Sequence, residues 1–415
     1  MPRSPSPPEF DAPGSISLGR LRDPGVLADP YPLYRRLREE QPVRYDVEMG
    51  GWVVSRYDDV VALLHDGRLL RNRGGSEDGN AKGAHRAEAQ LDRVFGKQML
   101  FLDPPDHARL RGLLNKTFTP AAVAQMRDCV QRLVDDRLDA VQASGRMDVV
   151  VDLAHPLPFT VIRETLGLAR EDEPRLRTWS DAYAAFLGNI PPSSSERECA
   201  ARSVTELAEH LREHVACGRG QAGATLLAAI AAAEDDGRFL DEDELVGTVL
   251  LFLVAGHETT TGWIGNGLLA LLRATEQLER LRAEPALLST AAAEVLRLES
   301  PVQFTAGRAR DDFECRGQRI ARGDFVFLLL AAANRDPEAF PDPDRLDIAR
   351  APNRHLAFGH GPHFCIGAPL ARLEAECALR TVLRRMPRLQ LAKDRPPRWR
   401  LSMGFRSLAS LDVCF

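Results

Sequence analysis

The sequence carries no excess of positive charge. Its 54 Lys and Arg stand against 59 Asp and Glu, a formal net charge of -5, so no nucleic-acid partner held by phosphate neutralisation is expected. Nor are its cysteines paired. Cys129, Cys199, Cys217, Cys315, Cys365, Cys377 and Cys414 are odd in number and scattered, with no Cys-x-x-Cys among them, a usage that speaks for a reducing, cytoplasmic setting. No long hydrophobic run is present: the most apolar stretch, residues 245–255, falls far short of the roughly 20 residues that cross a bilayer. Residues 1–13 are rich in Pro and Ser and lack the apolar centre of a signal peptide or anchor, so no membrane association is expected. There is no Gly-x-Gly-x-x-Gly following a strand, which leaves no dinucleotide-binding domain within the chain, and no internal repeat.

What is present suits a large globular protein. Hydrophobic residues make up 44% and charged residues 27% of 415, enough to bury a substantial core. Helical periodicity dominates, over residues 28–40, 122–143, 156–168, 173–187 and 369–385. Asp103-Pro104-Pro105-Asp106 is a helix start, with prolines fixing φ and Asp capping free N–H groups. Asp241 with Glu244 forms a capping box that launches a long helix to about Arg273. Strand-like content is confined to residues 43–45, 52–55 and 312–330, the last read as paired strands joined near Arg322-Gly323. The Gly-rich stretch 67–83 reads as a mobile loop. The expectation is a mainly α protein with small β-sheets (α+β), one domain over residues 16–415 behind a flexible arm, residues 1–15.

Two segments carry chemistry. In Phe358-Gly359-His360-Gly361-Pro362-His363-Phe364-Cys365-Ile366-Gly367 a single cysteine sits in a glycine-rich turn just before a helix, where the helix dipole and free N–H groups favour a thiolate and glycines let a flat ligand approach the backbone. A small buried hydrophobe, or a zinc site with His360 and His363, is the plainer reading. In Ala255-Gly256-His257-Glu258-Thr259-Thr260, inside the long helix, Thr259 can back-bond the Ala255 carbonyl while Gly256 weakens the helix and leaves a groove. A kinked core helix is the alternative there.

The first segment resembles the cytochrome P-450 signature F-x-x-G-x-x-x-C-x-G, matched by Phe358, Gly361, Cys365 and Gly367; the second resembles that superfamily's [AG]-G-x-[DE]-T-[TS]. The resemblance makes Cys365 the axial ligand of haem b iron, a thiolate that donates electron density and assists O–O cleavage, and His363 a haem-propionate contact. It implies that dioxygen lies in the groove at Ala255 and Gly256, that Thr259 holds water beside it and that Glu258 takes part in proton delivery. Asp103 to Arg111 resembles the segment whose His and Arg bind propionates, here His107 and Arg111, which share a helical face. Arg308 is implied as a further propionate arginine. Glu294 and Arg297, three apart on one helix, resemble the structural E-x-x-R pair, with Arg345 as the third, loop-borne member.

The implied fold is a triangular helical domain with haem between a long central helix and the cysteine loop. The implied activity is that of a soluble, monomeric bacterial haem-thiolate monooxygenase, using dioxygen and electrons from NAD(P)H through ferredoxin reductase and ferredoxin, the ferredoxin docking near Arg109 and Arg372. Residues 71–102, 178–195, 302–305 and 402–408 are expected to line the pocket for a lipophilic small molecule such as a polyketide, macrolide, terpenoid or peptide natural product. A catabolic hydroxylase, or a haem-thiolate sensor without oxygenase activity, is the rival reading.

Overall fold

The computed structural model describes residues 16–71, 86–115, 119–218, 225–232, 234–235 and 238–415. The expected arm, residues 1–15, and the glycine-rich stretch from residue 72 onward lie outside them. The helices that position the site are α1 (Tyr57–His65), α2 (Asp106–Asn115), α3 (Arg127–Gln142), α4 (Pro156–Leu166), α5 (Glu173–Gly188), α6 (Ser194–Gly218), α7 (Glu242–Arg273), α8 (Leu288–Leu298) and α9 (Ala368–Arg385). Five strands form the largest sheet: β1 (Val43–Asp46), β2 (Gly51–Val54), β3 (Leu69–Leu70), β4 (Thr305–Ala309) and β5 (Phe325–Leu328), in the order β1-β2-β5-β4-β3.

The capping box at the start of α7 is formed: the Asp241 carboxylate accepts from the Glu244 N–H, and Glu244 reaches back to the Asp241 N–H. This satisfies free donors at the helix start. The helix is then apolar almost all round, which only burial permits. By length and composition it would cross a membrane, but 67% of its most apolar window is buried inside the fold, so it is a core helix.

Its two halves enter different cores. Val246, Val249, Leu250, Leu253 and Val254 pack with Phe159 of α4, Trp179 and Tyr183 of α5 and Leu207 of α6. Trp263, Ile264, Leu268 and Leu271 pack with Val134 and Leu138 of α3, Val295 of α8 and Leu379 and Val382 of α9. Between Val254 and Trp263 the helix contributes no apolar side chain to either core, and that gap holds the Gly256–Thr260 motif.

Two expectations are corrected. The 122–143 helix divides at Met126 into Pro120–Gln125 and α3. Phe313–Cys315 pairs with Gln318–Ile320 across a turn at Arg316 and Gly317, both left-handed (φ 48° and 74°), while β5 beyond Arg322-Gly323 pairs with β2 and β4 instead. The turn residues that close the hairpin are therefore Arg316-Gly317, where Gly supplies the positive φ.

Candidate active site

The cysteine loop is built by its backbone. The Cys365 N–H donates to the Phe358 carbonyl (2.9 Å) and the Phe364 N–H to the Gly361 carbonyl (3.0 Å), while Gly359 (φ 70°) and Gly361 (φ 73°) take left-handed conformations that L side chains resist. A Cβ on Gly361 would also lie 3.0 Å from the Leu64 carbonyl of α1. Cys365 ends up just before α9, where the N–H groups of Gly367 and Ala368 bond its sulfur. Burial pushes the thiol up, opposed by those two donors and by Arg111 and Arg372. A bound cation would oppose the effect of burial and favour the thiolate.

Facing the sulfur is a cavity of about 300 Å³ whose other wall is α7, with Ala255, Gly256, Thr259 and Thr260. Gly256 serves packing as well as access: a Cβ there would meet Ile162 of α4 at 2.9 Å. α7 continues through this point without a break, and Thr259 Oγ1 donates to the Ala255 carbonyl (3.0 Å), the back-bond its sequence position allows.

At one edge of the cavity stand His107, Arg111, His363 and Arg71. The His107 and His363 rings lie 4.0 Å apart, and His107 Nε2 is buried with no hydrogen-bond partner. His363 is pushed down to about 3 by burial and by His107, Arg71 and Arg111. Such a cluster of donors and cations is costly unless anions meet it. A thiol on one face, apolar walls from Trp263, Leu296, Leu370 and Ala371, and an anion-seeking edge fit a flat apolar macrocycle bearing carboxylates and a metal; the residues fit haem b. Zinc is not served: His360 instead contacts His65 Nε2 through Nδ1 (2.5 Å).

Glu258 lies behind α7, away from the cavity. Arg400 Nη1 donates to both its oxygens (3.0 and 2.8 Å), the Ser407 hydroxyl to Oε1 (3.2 Å), and His257 Nε2 is 3.8 Å from Oε2. His257, His155 and Asp181 approach one another like a metal ligand set. Arg177 Nη1 already faces His155 Nδ1 (3.3 Å) and Arg400 Nη2 faces Asp181 (3.6 Å), so guanidinium groups occupy the place of a cation. Another buried acid, Glu374 on α9, lines the cavity with both oxygens unpartnered; burial raises it well above the carboxylate range.

Three assignments made from sequence are displaced. Arg308 on β4 is exposed, donating to the Gly323 carbonyl (2.8 Å) and lying over Phe325, because strand alternation turns it outward. Arg345 is exposed and supplies only its carbonyl. The third member of the Glu294–Arg297 cluster is Arg350, whose Nε lies 3.0 and 3.1 Å from the Glu294 oxygens. Arg109 is half-buried in an ion pair with Glu244 and is no free docking cation. Arg372 is exposed. The sequence reading missed Arg71, Arg350, Arg400 and Glu374, none of which lies in a recognisable motif.

Comparison with known proteins agrees with this geometry. The cytochrome P450 family profile matches residues 198–400. Cytochrome P450 monooxygenase PikC of Streptomyces venezuelae is 42% identical, over 92% of this chain and 89% of its own. Polyketide biosynthesis cytochrome P450 PksS of Bacillus subtilis is 35% identical, over 93% and 95%. The crystal structure of P450BioI, in complex with acyl carrier protein ligated to hexadec-9Z-enoic acid, superposes with a TM-score of 0.88 at 36% identity, covering 94% of this chain and 99% of that one. Relatedness of this extent along nearly the whole chain places it in a family: the chain belongs to the cytochrome P450 superfamily.

Proposed function

We propose that this P450 monooxygenase oxygenates a neutral, lipophilic natural-product scaffold of polyketide or macrolide type, in the cytoplasm, with residues 16–415 acting as one unit. The observation that carries this reading is the cavity wall. Leu100, Phe101, Leu187, Leu251, Phe252, Val302, Phe304 and Phe405 line it, and the ionisable groups in the lining lie at the cysteine-loop and propionate side: Arg71, His107, Arg111, His360, His363, Cys365 and Glu374. A charged substrate would meet no counter-charge on the α7 side, whereas apolar contact rewards lipophilic area. All four segments named from the sequence contribute to this wall. A relative bearing the name of polyketide biosynthesis supports the natural-product class.

When bound, haem b would supply the activation of dioxygen, with electrons from reduced pyridine nucleotides passed through redox partners. His107, Arg111 and His363 would hold its carboxylates and Cys365 its iron. The chain's own work is then proton handling and exclusion of water. The Thr259 hydroxyl, anchored on Ala255, keeps lone pairs free towards the cavity and holds water there. Glu258 takes up a proton from the solvent side, where Arg400 is partly exposed, and passes it towards Thr259. The apolar wall keeps bulk water from the reacting centre. A ferredoxin is the proposed donor, meeting the face that carries Arg372 and the exposed Phe364.

The test is the absorbance spectrum of the holoprotein titrated with macrolides, terpenes, fatty acids and cyclic peptides. A high-spin shift with macrolides or polyketide lactones supports the assignment. A shift confined to fatty acids would overturn the natural-product class while leaving the lipophilic pocket intact.

A further inference from the structure

Arg71 is a buried cation whose guanidinium has no carboxylate within bonding distance among the described residues, although the charge of Asp103 acts on it. It is 5% exposed and lines the cavity beside His107, Arg111 and His363. Its guanidinium, which has five donors to satisfy, makes only two long contacts, from Nη1 to Thr305 Oγ1 and to the Ala306 carbonyl, each 3.4 Å. A buried guanidinium so poorly matched is unfavourable unless an anion meets it.

The sheet explains why it is there. β3 pairs antiparallel with β4, Leu69 opposite Ala309 and Leu70 opposite Arg308. One step further in that register brings Arg71 opposite Gly307. Gly307 faces inward, but a Cβ on it would lie 2.5 Å from the Leu70 carbonyl and 2.8 Å from Leu69 Cγ. β3 therefore excludes any side chain from the inward position of β4 and delivers its own next residue to the same place. The Arg71 N–H is fixed by Asp103 Oδ1 (2.9 Å), while the Asp103 carbonyl accepts from the His107 N–H (3.0 Å) at the start of α2. One residue thus sets Arg71 and the His107–Arg111 helix in a common frame.

We propose that Arg71 binds a haem propionate, taking over from β4 the anchoring role for which Arg308 is turned the wrong way. The inference rests on the haem-thiolate reading of Cys365. A charge-assisted, partly buried pair of this kind contributes about 1.5–3 kcal/mol, which converts to roughly 10- to 100-fold in haem retention.

The experiment measures, on purified holoprotein, the rate of haem transfer to an excess of apo-globin and the reduction potential in the absence of substrate. Arg71→Gln should lose haem roughly 10- to 100-fold faster. It should also have a lower potential, because removing a nearby cation disfavours the more negative ferrous state. Arg71→Lys keeps the charge without the planar fork, so its potential should stay near that of the parent while haem loss is intermediate; this variant decides the matter if Arg71→Gln does not fold. Arg308→Gln should match the parent in both measurements. Arg71→Gln, or Arg71→Lys in its stead, indistinguishable from the parent in haem loss would overturn the proposal, as would Arg308→Gln losing haem as fast as the Arg71 variant. A parent protein that takes up no haem would instead overturn the haem-thiolate reading itself.

Discussion

Two buried glutamates, each held by arginine, sit on neighbouring helices and are built for opposite ends. Glu294 on α8 is wholly enclosed, as is Arg297, which grips it through Nε and Nη2 at 2.8 Å each. Arg350 Nε, the Asp347 N–H and Asn353 Nδ2 complete the coordination of its oxygens. Arg297 in turn donates to the carbonyls of Asn334 and Pro343. Glu258 on α7 has Arg400, Ser407 and the edge of His257, and Arg400 retains 33% side-chain exposure. A carboxylate gripped by this many donors is fixed in place. One held mainly by a partly solvated arginine has fewer ties to keep it still. The first is a rivet, and the second is the proposed gate.

The comparison breaks most visibly at Glu294. Glu294→Gln keeps the shape and leaves two guanidiniums facing a neutral amide; a buried pair broken in this way costs about 3–5 kcal/mol. The expected result is a large fall in the denaturant midpoint together with haem loss. A midpoint within error of the parent would mean that Glu294 is no rivet. Glu258→Gln should behave in the reverse manner, folding with normal haem content and forming product roughly 100-fold more slowly, the usual weight of a positioned proton donor. Loss of folding without a specific loss of turnover would erase the distinction between the two acids. Thr259→Ala, on the cavity face of the same helix, should cost less: electron consumption persists while product per electron falls. Unchanged coupling would remove Thr259 from the proton path.

These contrasts also show what could be read from the sequence. Cys365, Glu258 and Thr259 lie within continuous segments whose backbone form fixes where each side chain goes, and the capping box at Asp241 and Glu244 fixed the start of α7 to the residue. Partners supplied by distant segments were not legible. Arg350 stands five positions beyond Arg345 in a loop without periodicity, which Asp342 bends with φ 47°, and no local pattern tells which arginine turns back to Glu294. Arg400 lies 142 positions from Glu258. Arg308 failed for a physical reason of another kind: a one-residue difference in strand register exchanges inside for outside.

Behind the gate, His155 sharpens the comparison through pH. Burial, then His257 and the nearby arginines, push it from the ordinary 6.5 down to about 3. The folded state therefore binds fewer protons than the unfolded chain between these values, so this stabilisation is complete above about pH 6.5 and is lost progressively as pH falls towards 3. Among the described residues no histidine bonds Glu294, and the histidine that feels the rivet, His355, is pushed down less far, to about 4, by burial, Arg372 and Arg297. His155→Phe, which keeps a ring stacked on Phe159 (interplanar angle 7°), should flatten the acid side of the stability curve without altering its neutral plateau by more than about 1 kcal/mol. Parallel curves for parent and variant would show that His155 titrates normally in the fold.

The smallest effect is the most discriminating for the rivet. Arg345 and Arg350 share a loop, a charge and a side-chain type, so they differ only in direction. Arg345 reaches the cluster with its carbonyl alone, accepting from Arg297 and Arg350 at 3.4 Å, and a substituted side chain leaves that carbonyl in place. Arg345→Gln should accordingly lie within about 0.5 kcal/mol of the parent, as surface substitutions do, whereas Arg350→Gln removes a donor lying within 3.1 Å of both Glu294 oxygens and should approach the cost of Glu294→Gln. If the two arginine variants were equally destabilised, the energy would reside in the charge of the loop as a whole. If only Arg350→Gln is destabilised, it resides in the guanidinium that enters, and one turn of loop geometry decides which of two identical residues becomes structural.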